Sequence, residues 1–90
     1  MKTDYDILKS AKNVRERELP FEYATQLVWD EADIRVDARK DYGETRYVAY
    51  IPNEAGRLFH VVFTVDHQIL RIISLRKANR KEVKRYDPQR

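Results

Sequence analysis

The sequence predicts an α+β fold in two layers, with two N-terminal helices, a four-stranded, mainly antiparallel sheet and a C-terminal helix. Three observations predict it. Apolar residues recur at helical spacing before residue 30, they alternate with polar ones from Ala32 onward, and a capped basic stretch follows the last alternation. The length of 90 residues allows one domain, 1–90, and no second core.

Asp6 is placed to cap a helix running to about Arg17, with Ile7, Leu8, Ala11 and Val14 at helical spacing and Lys9, Asn13 and Arg17 on another side. Leu19-Pro20 breaks it, since proline disfavours the helical region in the residue before it. Pro20 then suits the start of a second helix, with Phe21, Ala24, Leu27 and Val28 on one side, ending near Trp29-Asp30. Ala32, Ile34, Val36 and Ala38 alternate with Asp33, Arg35, Asp37 and Arg39, a strand with one wet face suited to a sheet edge. The loop Lys40-Asp41-Tyr42-Gly43 leads to a strand from about Thr45 to Ile51, and Pro52 to Gly56 reads as a turn. Strands Arg57–Val65 and Gln68–Leu75 flank Asp66-His67, read as a tight hairpin turn. A last helix follows Ala78, with Asn79 and Glu82 at capping-box spacing and Val83 and Tyr86 directed to the sheet.

Composition removes several kinds of function. There is no cysteine, so disulfide scaffolds, thiolate metal sites and cysteine nucleophiles are excluded. The longest apolar run, Leu58 to Phe63, is interrupted by His60 and too short to span a bilayer, and the first residues hold no secretory h-region; the expectation is a cytoplasmic protein without membrane contact. His60 and His67 straddle a hairpin and share no ligand spacing, so no metal and no cofactor is expected. Two glycines hardly build a phosphate loop or a nucleotide fingerprint, and no nucleophile elbow is present.

Charge supplies the positive clue. Residues 1–45 hold 8 Lys and Arg against 11 Asp and Glu, whereas residues 46–90 hold 10 against 4. A one-sided positive field attracts polyanions or an acidic protein, and Arg76, Lys77, Arg80 and Lys84 form the expected face for it. Arg71, among Ile69, Leu70, Ile72 and Ile73, is expected either to pair with a carboxylate such as Glu44 or Asp37, or to line an anion site. Arg71 and Arg76 are five apart and face opposite ways in a regular strand unless a bulge intervenes. Arginines suit the charge that builds on a phosphate when a ribose 2′-OH attacks it; His60, Glu44, Lys77 and Tyr86 are the available acids and bases.

Tyr5-Asp6-x-x-Lys9, Asn13, Leu19-Pro20-Phe21-Glu22-x-Ala24, Tyr42-Gly43-Glu44-Thr45-Arg46-Tyr47 and Arg71-Ile72-Ile73-Ser74-x-Arg76-Lys77-Ala78, followed by Glu82 and Tyr86, together resemble the BrnT family of toxins, in order and over nearly the whole chain. The resemblance implies a RelE-like fold and a ribonuclease of a type II toxin–antitoxin pair, and the arginine chemistry above needs no metal. It implies catalytic roles for Arg46, Arg71, Arg76 and Glu44, and it adds Lys9 to the RNA-binding candidates Lys77, Arg80 and Lys84, with His60 and Tyr86 left as possible acid or base. The implied partners are RNA and a ribbon-helix-helix antitoxin, through which alone operator DNA is reached. The family's Lys-His-Gly is replaced here by Glu16-Arg17-Glu18, its strand-ending glycine by Pro52, and its Ala between Ser74 and Arg76 by Leu75. The missing histidine motivates an alternative, an inactive member that only binds antitoxin or RNA; a DNA-binding module is the third and least supported reading.

Overall fold

A computed structural model describes residues 2–39, 41 and 43–86; Lys40 and Tyr42 of the expected loop lie outside them. The elements are β1 (Lys2–Tyr5), α1 (Ile7–Arg17), two 3-10 turns (Phe21–Gln26 and Trp29–Glu31), β2 (Asp33–Val36), β3 (Tyr47–Pro52), β4 (Leu58–Asp66), β5 (Ile69–Lys77) and α2 (Arg80–Arg85). The architecture is α+β, but the sheet is five-stranded and mixed, in the order β1-β5-β4-β3-β2, with β1 parallel to β5 and every other pair antiparallel.

Two parts of the expected architecture are therefore corrected. There is one N-terminal α-helix, not two, because Phe21, Ala24 and Leu27 are buried at a spacing of three, which is the 3-10 period, and Pro20 offers no side-chain cap to start an α-helix. The sheet gains a fifth strand because Lys2–Tyr5 pairs with Ile69–Ile72, a partner too distant in sequence, and a strand too short, for alternation to reveal it. The hairpin turn also sits one residue later than expected. His67 and Gln68 both have positive φ (49° and 63°), the two-residue geometry whose twist matches the strands on either side.

The core lies on one face of the sheet, where Ala49, Ile51, Phe59, Val61, Phe63, Ile72 and Leu75 meet Leu19, Phe21, Ala24 and Leu27. Edge-to-face rings, Tyr23 on Phe59 and Trp29 on Phe63, fasten the 3-10 turns to it. Asp6 caps α1 as expected, accepting from the Leu8 and Lys9 N–H groups at 2.9 and 3.2 Å. The helix itself is reversed from its pattern: Ile7, Leu8 and Val14 face solvent, and Ser10 is its buried residue. Polar contacts hold it there. Ser10 Oγ accepts from Phe21 N–H at 2.9 Å, and Asn13 Nδ2 donates to the carbonyls of Leu19 and Leu75 at 2.7 and 3.0 Å.

The second face of the sheet carries the charges. Along β5 the register shifts by one residue, so that Ser74 pairs with Val62 and Ile72 with Phe63, leaving Ile73 as the extra residue. Arg76 therefore lies across from His60, and Arg71 across from Thr64, on the same face. That is the bulge which a spacing of five required.

Candidate functional site

On this second face, cross-strand register builds rows. One row is Asp33, Tyr50, His60 and Arg76, on β2, β3, β4 and β5. Another pairs Thr64 with Arg71, and Arg71 in turn with Asp4 of β1. At a rise of about 3.3 Å per residue, the four residues from His60 to Thr64 put the two rows about 13 Å apart.

The first row lies in a cleft of about 400 Å³, closed by α2 at one side and by residues 35–39 at the other. His60 and Tyr50 meet edge to face with ring centres 5.5 Å apart. Arg76 spends its fork on Glu82: Nη1 donates to Oε1 at 2.8 Å and Nη2 to Oε2 at 2.9 Å. Tyr50 donates to Oε2 at 3.1 Å, and the Asn79 N–H to Oε1 at 2.8 Å as half of the capping box. With two donors on each oxygen, this carboxylate has filled its accepting capacity. Arg35 bonds Asp33 at 3.3 Å, Arg39 bonds Asp37 at 2.9 Å, and Arg85 lines the same cleft from α2.

These contacts set the electrostatics. The Arg76 fork, then the Asn79 N–H, hold Glu82 at a pKa of about 2 although burial opposes it. Burial first, and the Arg76 charge second, push His60 below 6.5, and its Nδ1 is buried without a hydrogen-bond partner. Tyr50 is raised above 10.0 by burial and by the Glu82 charge, so its hydroxyl keeps its proton. Because Glu82 is depressed on folding, it stabilises the fold above 4.5, and that stability is lost as pH falls towards about 2. Melting curves taken between those limits should show the native chain losing stability faster than Glu82→Gln; parallel curves would contradict the pairing.

The other candidates fall elsewhere. Arg71 bonds Asp4 at 3.0 Å, not Glu44 or Asp37. Arg46 precedes β3, one residue before Tyr47, the partner of Phe63; its Nε is 3.8 Å from Glu44, and Asp37 N–H donates to its carbonyl at 2.7 Å. Lys9 lies beside Ser74 in a shallow basic groove at the β5 edge. Lys77 pairs with Phe59 and so alternates away from Arg76, while Arg80 and Lys84 line a groove with Arg57 on the other side of α2. Tyr86 donates its hydroxyl to the Glu31 carbonyl, tying the end of α2 to the second 3-10 turn. Val83, expected to anchor α2, is exposed, and Glu82 takes that place.

Sequence reasoning missed Tyr50, Arg85 and the chemical use of Glu82, and it read Asp33-x-Arg35-x-Asp37-x-Arg39 only as a wet edge. The signal was present: those four residues recur at every second position with alternating charge, and Tyr50 shares the face of Val48 on the next strand, opposite Asp33. No helix of the described residues is long and apolar enough to cross a membrane.

A family model described as ribonuclease toxin, BrnT, of type II toxin-antitoxin system matches residues 5–82. No curated protein matches the chain.

Proposed function

Since the chain belongs to the BrnT family, the ribonuclease toxins of type II toxin–antitoxin systems, we propose that it is an endoribonuclease whose reaction takes place in the cleft of His60 and Arg76 and needs no metal. His60 carries the reading. Its imidazole stays neutral at pH 7 and shares the cleft with Arg35, Arg39, Arg76 and Arg85, so a base and anion-binding groups meet in one place. In this mechanism His60 takes the proton of the 2′-OH and O2′ attacks the adjacent phosphorus. Arginine N–H groups stabilise the charge on the non-bridging oxygens, and the 5′-oxygen leaves and is protonated. The products are a 2′,3′-cyclic phosphate and a 5′-hydroxyl end.

Arg71 is assigned to a flanking phosphate, since its row lies about 13 Å along the sheet from His60, and Arg46, one residue before the partner of Phe63, is assigned with it, with Glu44 holding its guanidinium. Lys9 extends the basic track at the β5 edge. Arg80, Lys84 and Lys77 lie off the cleft and contribute long-range attraction for RNA. Tyr86, bound to the Glu31 carbonyl, serves α2 rather than proton transfer. The reading places the protein in the cytoplasm, restrained by a cognate antitoxin of ribbon-helix-helix type through which operator DNA is reached.

The test is incubation of the antitoxin-free protein with single-stranded RNA in EDTA, followed by analysis of product ends. Cyclic phosphate ends are expected, with Arg76→Ala losing about 10²–10³ in rate, the loss typical of removing one transition-state donor. Arg71→Ala should instead weaken RNA binding in a salt-dependent way. No cleavage by the native chain, with or without ribosomes, would favour the inactive, binding-only reading, with Glu16-Arg17-Glu18 in place of Lys-His-Gly as its cause.

A further inference from the structure

The outer face of α1 shows large aliphatic side chains to solvent. Ile7 is 76% exposed, Leu8 80% and Val14 43%, and Ala11 lies exposed between them. Ile7, Ala11 and Val14 follow one another at i, i+4 and i+7 with Leu8 beside them, so the four residues form one stripe, which borders the side where Ser10 and Asn13 hold the helix and opens to solvent. Leaving such a stripe in water forfeits the burial that an amphipathic helix ordinarily supplies, and patches of this kind mark interaction surfaces. Leu8 is followed at i+4 by Lys12 and at i+7 by Arg15, and the helix carries Lys9, Lys12, Arg15 and Arg17 against the single acid Glu16.

Resting on the toxin–antitoxin reading above, we propose that this stripe is a docking surface for the antitoxin, and that the segment which covers it is an amphipathic helix with aliphatic residues on one side and Asp or Glu beside them. Apolar packing supplies the contact, and acidic flanks meet Lys12 and Arg15. RNA does not fit, because a polyanion gains nothing from covering aliphatic side chains. A second copy fits poorly, since a two-fold contact between α1 helices sets a net positive helix against itself. The surface is separate from the catalytic cleft, so the antitoxin can hold the toxin here whatever else it covers.

The probe is the cognate antitoxin, produced separately, with affinity for the native chain, Ile7→Asp, Leu8→Asp and Arg15→Glu measured by calorimetry. The three positions are solvent-facing and lie outside the catalytic machinery, so melting temperature and RNA cleavage of the free variants should match the native chain. Ile7→Asp and Leu8→Asp are each expected to weaken binding about 30-fold or more, as for a central interface anchor. Arg15→Glu should chiefly slow association and flatten its salt dependence. Native affinity in both aspartate variants would overturn the proposal and move the antitoxin elsewhere. Self-association of the native chain that Leu8→Asp abolishes would overturn it too, by showing a second copy as the occupant. Those failures leave the toxin reading intact; a native chain that neither cleaves RNA nor binds the antitoxin would end both.

Discussion

His60→Ala is expected to lower RNA cleavage by about 10²–10⁴-fold, the usual worth of a positioned general base, with little change in melting temperature. The imidazole lies in the cleft rather than in the main hydrophobic cluster, so its removal spares the packing that supports the sheet. A base works only when unprotonated, and burial with the Arg76 charge keeps His60 below its ordinary 6.5. Cleavage by the native chain should therefore persist below pH 6.5 before an acid limb appears, and that limb should vanish in whatever residual activity His60→Ala retains. A rate-against-pH profile of both proteins in EDTA checks this. Full activity in the variant would move the base elsewhere.

Leu75→Ala is expected to produce the largest loss of stability, about 2–5 kcal/mol for a buried leucine deleted from a packed core. Leu75 is 0% exposed and pairs with Val61, and its carbonyl accepts the Asn13 side chain, so it stands where α1, β4 and β5 join. For a domain of this size each kcal/mol lowers Tm by about 4–8 °C, well within reach of calorimetry. A loss below 1 kcal/mol would mean that the neighbours collapse into the space.

Much of the antiparallel part of the fold was legible because alternation at period two is a local signal: β3, β4 and β5 stand close to where their patterns put them, whereas β2 stops at Val36 and turns Ile34 and Val36 to solvent while burying Asp33. The capping box of Asn79 and Glu82 was equally local. What escaped was set by tertiary partners. Phe21, Ala24 and Leu27 satisfy a helical stripe and a 3-10 turn alike, and only the sheet beneath decides between them. Residues 2–5 are a strand only because β5 offers an edge. For α1, apolar spacing located a helix but could not say which side meets the protein, since Ser10 and Asn13 do so by hydrogen bonds. Within the candidate site, Arg71 and Arg76 were identified as types of residue, but Ile73 had to be known as a bulge before they shared a face. Glu82 was legible as a cap and not as the partner of Arg76, because that contact spans two elements.

The parallel pairing of β1 with β5 has a consequence for the order of events during synthesis. Asp4 and its partner Arg71 are 67 residues apart, so at roughly 5–20 residues per second about 3–13 s separate their emergence from the ribosome. The sheet closes last along the strand that was made first. Until β5 is out, Arg76 is missing opposite His60 and Arg71 opposite Thr64, so a prematurely ended translation product is a partial sheet without the β5 arginines of both rows.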